Sequence, residues 1–199
     1  MALKVDHERR RRLIAEKAIR LFSQVGYDNV SLIMIAAAAG ISRAALYRYF
    51  CSKREVMDAA ILTVTGKIND ACALIVKDRV TPLEKLVRVC HAVVEEMFEN
   101  KEFLIAVFDF VVGMARSGVD MTPNIHEFTK GTREVMRLLI EHARDRGEIP
   151  DVLVVDRISD AIYAEFESCA MRIVIGTERE ATAAKVRFSD TIRAISIWK

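Results

Sequence analysis

The sequence is poor in the residues that interrupt helices, with only 3 Pro and 8 Gly among 199 residues. Aromatic residues make up only 7% of the chain, but 52% of it is hydrophobic. This fraction is enough to form a buried core, so the composition argues against a globally disordered chain. No apolar run approaches the roughly 18 uncharged residues that cross a bilayer. The longest run, residues 103–115, is shorter and contains Asp109. We therefore expect a cytoplasmic protein with long helices, no secretion signal and no membrane partner.

Patterns typical of enzymes and metal sites are also missing from the sequence. The four cysteines are far apart and form no Cys-x-x-Cys pair, so we interpret them as reduced thiols, mostly in the core. His126-Glu127 is not followed by the second histidine of a zinc-protease motif, because Lys130 occupies that position. Glycine-rich phosphate loops and nucleophile motifs are absent as well. We therefore predict no catalytic residue, no metal and no cofactor.

The net charge of +2 conceals an uneven distribution along the chain. Residues 1–54 contain 11 Lys and Arg against 4 Asp and Glu, a net charge of +7. The other 145 residues contain 19 basic and 24 acidic side chains, a net charge of −5. A basic head on an acidic body is typical of a protein that binds a polyanion. A solvated basic surface without a partner would produce the same asymmetry.

Apolar spacing and capping residues predict an all-α fold of about nine helices. Ser31 and Ser42 can each cap a short helix, and Gly40 between them permits a tight turn. The remaining starts are the capping boxes Ser52/Glu55 and Thr177/Glu180, together with Thr81-Pro82 and Thr122-Pro123. The predicted helices cover residues 8–25, 32–39, 42–49, 53–77, 82–100, 102–116, 123–147, 155–175 and 178–197.

The segment 31–50 reads as a helix-turn-helix. In its second helix Leu46 and Phe50 lie four residues apart and should face inward, whereas Arg43, Ala44, Tyr47 and Arg48 lie on the opposite face. Small, aromatic and basic side chains suit a DNA groove, because arginine can bind guanine and tyrosine can bind a phosphate. Lys53 lies in the first turn of the next helix, where a cation is unfavourable unless an anion lies nearby.

These residues resemble the TetR family of bacterial transcriptional regulators. The similarity extends from the first helix into the fourth and comprises AIRLF at 18–22, Gly26-Tyr27, Ser31, Ile35-Ala36, AGIS at 39–42, LYRYF at 46–50 and Ser52-Lys53. It implies a three-helix DNA-binding domain at residues 1–54, linked through the 53–77 helix to a larger effector-binding and dimerisation domain at 55–199. It also implies that Arg43 and Ala44 approach base edges, while Tyr47, Arg48, Tyr49 and Lys53 hold the DNA backbone.

The resemblance further implies a homodimer on a palindromic operator, released by a small, largely apolar effector. Helical stripes suggest a dimer seam through Phe166, Ile173, Ala184, Phe188 and Ile195, continued by Trp198, although the same stripes could pack within one chain. Candidate effector contacts are Asp109, His91, Met97, Phe108, Phe110 and Met114, on or before a helix that should lie centrally in the body. Asp109 could bind the effector, or it could pair with Arg116 or Arg133.

Two further points stay open at this stage. The Arg9-Arg10-Arg11-Arg12 run could contact DNA phosphates or the minor groove, or it could be a solvated helix end partly paired to Glu8 and Glu16. The whole chain could also be an all-α scaffold whose basic head binds an acidic protein.

Overall fold

A computed structural model describes residues 2–196, with the side chains of 7–121 and 123–196. Over this part of the chain all regular structure is α-helical, as predicted. The helices are α1 (Ala2–Val25), α2 (Leu32–Ala38), α3 (Arg43–Tyr47), α4 (Lys53–Ile75), α5 (Pro82–Glu99), α6 (Lys101–Arg116), α7 (Thr122–Asp145), α8 (Val155–Val174) and α9 (Ala181–Ala194). None of them is long and apolar enough to cross a membrane. Trp198 of the predicted seam lies outside the described residues.

Most of the predicted helix starts are confirmed by hydrogen bonds of their capping side chains. Each capping hydroxyl accepts a hydrogen bond from the backbone N–H three residues later, at Ser31, Ser42, Ser52 and Thr81. The predicted Ser52/Glu55 box is confirmed only in its Ser52 half, because the Glu55 carboxylate accepts from the N–H of Cys51 rather than from that of Ser52. These bonds satisfy amides that the first turn of a helix leaves without partners.

The capping box predicted at Thr177 is wrong. Helix α9 begins at Ala181, and its N-cap residue Glu180 makes no side-chain capping bond. Thr177 instead donates from its hydroxyl and its backbone N–H to the carbonyl of Arg172, so it closes the preceding helix. Gly176, at φ +80°, turns the chain there. Thr177 was predicted to cap the start of α9, whereas its hydroxyl and N–H bind a carbonyl at the end of α8.

The chain forms two compact units. The first comprises the residues up to Thr65 together with Glu102–Phe128, and the second comprises Gly66–Lys101 with the residues from Thr129 onward. We expected helix α6 to lie at the centre of the C-terminal body, and this prediction is wrong. Its Ala106 and Phe110 pack instead into the core of the first unit. The functional division at residue 54 stays a prediction, since the units reflect packing alone.

The core of the second unit contains most of the stripe that we predicted as a dimer seam. Phe166, Ile173, Ala184 and Phe188 are all at most 2% exposed within the single chain, and Ile195 is half-buried. The rings of Phe166 and Phe188 stack with their centroids 4.4 Å apart, joining α8 to α9. These four side chains are contacts within one protomer, and the dimer assignment stays a prediction.

Candidate nucleic-acid interface

The turn between α2 and α3 holds the two short helices of the first unit together. Gly40 adopts φ +68°, a left-handed conformation that glycine reaches without strain. The next residue, Ile41, donates its N–H to the carbonyl of Ala36 at 3.0 Å. Leu46 and Phe50 are both fully buried below the turn, as predicted. Their burial orients α3, whose five residues could not form a stable helix alone.

The opposite face of α3 is open to solvent. Arg43, Ala44, Tyr47 and Arg48 are all exposed, as the helical pattern indicates. One guanidinium nitrogen of Arg43 donates to the Tyr47 hydroxyl at 3.2 Å, and the guanidinium carbon lies 5.5 Å from the ring centroid. This contact orients an arginine whose paired donors match the O6 and N7 acceptors of guanine. The face can therefore present base-reading and phosphate-binding groups together.

Tyr49 is half-buried, unlike the other predicted contacts on this helix. Its ring packs against the His7 ring, with a centroid separation of 4.9 Å. Its carbonyl accepts a hydrogen bond from the Arg11 guanidinium. Tyr49 thus links α1 to the end of α3, and its contact with the DNA backbone stays a prediction.

Lys53 has an internal role that the sequence did not reveal. Its ammonium donates to the carbonyls of Tyr27, Asp28 and Val30 at 2.8, 3.0 and 3.3 Å. The same ammonium lies 4.5 Å from the centroid of the Tyr27 ring. These bonds fasten the loop between α1 and α2 to the start of α4. The pattern that could have revealed them is the turn at Gly26-Tyr27, which leaves carbonyls without helical partners. The phosphate contact of Lys53 stays a prediction.

Asp109 is tied to the same loop from the other side. Its Oδ2 accepts the backbone N–H of Tyr27 at 2.6 Å, and the residue is exposed rather than buried. The partner is therefore a backbone amide, and no ion pair between Asp109 and Arg116 or Arg133 forms among the described residues. The adjacent Phe110 is fully buried and meets the Tyr27 ring edge-on, at 4.7 Å between centroids. Both residues thus support the loop that precedes the helix-turn-helix.

The other predicted effector contacts fall in both units. Phe108 and Met114 of α6 are half-buried in the first unit, and Met97 of α5 is half-buried in the second. His91 also belongs to the second unit, where its Nε2 lies 2.9 Å from Ser189 Oγ and 3.1 Å from the Lys185 carbonyl. Burial lowers the pKa of His91. All six residues stay predictions as effector contacts.

Neither metal nor thiol chemistry is suggested by the side chains that the structure describes. Groups of three or more potential metal ligands do not occur among them. Cys72, Cys90 and Cys169 are buried thiols, whereas Cys51 is exposed. Burial raises the pKa of Cys72 to about 11, which keeps this thiol protonated at neutral pH.

Comparisons with known proteins agree with this geometry. Residues 14–60 match the family model described as bacterial regulatory proteins, tetR family. The transcriptional regulator PksA of Bacillus subtilis is 27% identical over 179 residues, which cover 90% of this chain and 85% of PksA. Among solved structures, FadR from Bacillus subtilis in complex with stearoyl-CoA has a TM-score of 0.80 at 18% identity, covering 92% of this chain and 97% of FadR. The ketosteroid regulator KstR2 of Mycobacterium tuberculosis has a TM-score of 0.71 at 19% identity, covering 95% and 96%.

Proposed function

The chain belongs to the TetR family of bacterial transcriptional regulators, and we propose that it is a dimeric repressor that a small, largely apolar effector releases from its operator. Its target is double-stranded DNA with palindromic half-sites, so the protein acts in the cytoplasm, where the chromosome lies. Its activity is binding rather than catalysis, in keeping with relatives that are named as regulators.

The proposal depends mainly on the exposed face of α3, whose opposite side is fully buried in the core. Four polar or small side chains point away from the core, while Leu46 and Phe50 hold the helix from beneath. Single exposed arginines are common on protein surfaces. Here the Tyr47 hydroxyl orients Arg43 beside Ala44, so the three side chains form a small surface that can contact base edges. Base edges in the major groove are the partner that this surface fits best.

A second copy of the chain supplies the other half of the operator contact. One five-residue helix binds weakly, whereas a two-fold dimer presents two such helices about 34–36 Å apart. Exposed small and apolar residues support dimerisation through α8 and α9, because they follow helical spacing beside the buried stripe. They are Ala161, Ala164, Ser168 and Met171 on α8, Ile175 at its C-cap, and Ala183, Val186 and Ala194 on α9. The Phe166–Phe188 stack then serves as the core beneath the interface.

The effector proposal is supported by the relatives and by the course of the helices. FadR binds stearoyl-CoA in its crystal structure, and KstR2 is described as a ketosteroid regulator. Helices α4 and α7 each contribute residues to both compact units, so a shift of either helix reaches both. An effector that binds the non-operator state more tightly opposes DNA by linkage, and DNA opposes the effector by the same factor.

The DNA-binding proposal is tested by selecting operator sequences from random duplexes and measuring affinity by fluorescence anisotropy. We expect Arg43→Ala to weaken binding to the selected duplex by about 5- to 150-fold, which corresponds to about 1–3 kcal/mol of base discrimination. A mixed-sequence duplex should lose less than about threefold. Arg20→Ala is the matched control, since it removes an exposed arginine of the same unit from α1. Equal losses on both duplexes would contradict base readout.

Effector release is tested by adding stearoyl-CoA to the complex with the selected duplex, with stearate and coenzyme A as separate arms. We expect an acyl-containing compound to lower operator affinity and coenzyme A alone to leave it unchanged. If none of the three compounds changes DNA affinity or the melting temperature, the effector belongs to another chemical class than that of FadR.

A further inference from the structure

The four consecutive arginines of α1 divide into two roles in the structure. We infer that Arg9, Arg10 and Arg12 bind DNA phosphates beside the groove that α3 reads, while Arg11 is a positioning residue that joins α1 to α3. The inference rests on the proposed function and extends it to a second contact surface. It lies wholly within the first compact unit.

Arg11 differs from its neighbours because its guanidinium is already engaged. It donates to the carbonyl of Tyr49, just beyond the end of α3, and its guanidinium carbon lies 4.2 Å from the centroid of the Phe50 ring. Phe50 is fully buried, and Arg11 itself is half-buried. A cation over an aromatic face and against a carbonyl is stabilised by both groups. Arg11 thus fixes this turn of α1 against the recognition helix.

His7 provides a second attachment on the same face of α1, one turn earlier. Its ring packs on Tyr49, and its Nε2 lies 3.5 Å from the carbonyl of Arg48. Residues four apart share a helix face, so His7 and Arg11 act together. Because both side chains contact residues at the end of α3, this part of α1 keeps a fixed place beside the C-terminal end of the recognition helix.

Among the side chains that the structure describes, the other three arginines have no ion-pair partner. Arg9, Arg10 and Arg12 are exposed, and within residues 7–196 none of them forms an ion pair with Glu8, Glu16 or any other acid. Arg9 and Arg12 are three residues apart, where like charges on a helix repel each other. A run of positive charge on a helix that contacts the end of α3 is the complement of a phosphate backbone.

The helical state of this segment decides between phosphates and the minor groove. Helix α1 begins at Ala2, so the arginines lie in its second and third turns rather than in an extended arm. An α-helix with its side chains is about 10–12 Å across, whereas the minor groove of B-DNA is about 6 Å wide. The helix cannot enter that groove, and its arginines meet the phosphates along the rim first.

The test compares the salt dependence of binding to a mixed-sequence 30-base-pair duplex, because phosphate contacts do not depend on sequence. Each phosphate neutralised contributes about 0.9 to the slope of log affinity against log salt. Arg10 and Arg12 lie on opposite sides of α1, with Arg9 between them, so two or three of these side chains can reach phosphates at once. We therefore expect the triple variant Arg9→Gln/Arg10→Gln/Arg12→Gln to lower that slope by about 1.8–2.7. Between 50 and 200 mM salt its affinity should therefore change about 12- to 40-fold less than that of the wild type.

Two controls accompany the triple variant. Arg146→Gln/Arg157→Gln/Arg179→Gln removes the same charge from exposed positions of the second unit, and its slope should stay within about 0.3 of the wild-type value. Arg11→Gln should lower affinity and melting temperature while keeping the wild-type slope, because its guanidinium is directed to Tyr49 and Phe50.

The outcomes separate this inference from the proposed function. A triple variant that keeps the wild-type slope, or a control triple that loses as much, overturns the phosphate role while leaving the base readout of Arg43 intact. A drop in slope of about 0.9 for Arg11→Gln, the value expected of one phosphate contact, overturns the division of roles. A wild-type chain that binds no duplex at all defeats the proposed function itself.

Discussion

The backbone N–H of Tyr27 donates to Asp109 Oδ2 at 2.6 Å, and this bond fastens α6 to the loop between α1 and α2. Lys53 holds the carbonyl of the same residue at 2.8 Å. The two peptide groups flanking Tyr27 are thus bound by a carboxylate from α6 and an ammonium from α4. A movement of either helix acts directly on the loop that precedes the helix-turn-helix.

Removing the carboxylate should weaken this attachment. We expect Asp109→Ala to lower the free energy of unfolding by about 1 kcal/mol, because it leaves the Tyr27 amide without its charged acceptor. The melting temperature should fall by about 3 °C. Asp109→Asn keeps an acceptor oxygen and should lose less. Glu102→Ala is the control on the same helix, since its 4.0 Å contact with Arg20 is exposed. Equal losses for Asp109→Ala and Glu102→Ala in thermal melts would contradict a specific role for the Tyr27 bond.

Lys53 should affect both stability and DNA binding. Lys53→Met keeps most of the aliphatic stem but removes the donor to three carbonyls, so we expect a loss of about 1–2 kcal/mol and a melting temperature lower by about 4 °C. The salt slope of DNA binding should fall by about one if the same ammonium also reaches a phosphate. A lower melting temperature with an unchanged slope would limit Lys53 to its structural role.

Gly40 and Gly66 form a matched pair for backbone strain. A Cβ would meet no atom within 4 Å at either position, so packing does not distinguish them. Gly40 has φ +68°, and Gly40→Ala should cost about 1–2 kcal/mol and weaken operator binding. Gly66 lies inside α4 without a positive φ, and Gly66→Ala should stabilise the chain by about 1 kcal/mol. Denaturant unfolding of both variants measures the two signs, and destabilisation by both would refute the strain argument.

His91 should make stability depend on pH. Its pKa is lowered chiefly by burial and also by Lys185, against the opposing effects of its hydrogen bond to the Lys185 carbonyl and of Glu95. The unfolded chain therefore binds a proton more readily, from about pH 6.5 downward. The folded state should lose stability as the pH falls below about 6.5 and regain it as the pH rises.

His91→Gln removes the titrating group at the junction with Ser189 and tests this expectation. The variant should show a smaller drop in melting temperature between pH 7.5 and 5.5 than the wild type. His142→Gln is the control because His142 is exposed on α7. Identical pH profiles for the wild type and His91→Gln would remove His91 as the cause.

Local patterns predicted much of the first unit before any tertiary information. The caps at Ser31 and Ser42 bind amides only three residues away, and the turn depends on the backbone conformation of Gly40 itself. Their positions in the sequence are therefore enough to predict the caps and the turn. The exposed and buried faces of α3 follow from helical periodicity in the same way. Thr177 shows where such local reading is ambiguous, because a hydroxyl between two helices can serve either end.

The remaining features depended on partners far away in the chain. Periodicity shows that Phe166 and Phe188 lie on apolar faces, but only the packing of α8 against α9 shows that both are buried within one protomer. In the same way, a lysine in the first turn of α4 suggests an anion, whereas the carbonyls it actually binds come from a loop 23 to 26 residues earlier.

The sequence by itself thus determined the helices, most of their short-range caps and the charged face of α3, because these depend on neighbours within one or two turns. Only the tertiary structure decided that α6 packs with the N-terminal helices, that Asp109 binds a backbone amide and that Arg11 differs from the arginines beside it. Each of these rests on contacts between residues 38 to 83 positions apart, which meet because whole helices pack together and not because of any local pattern.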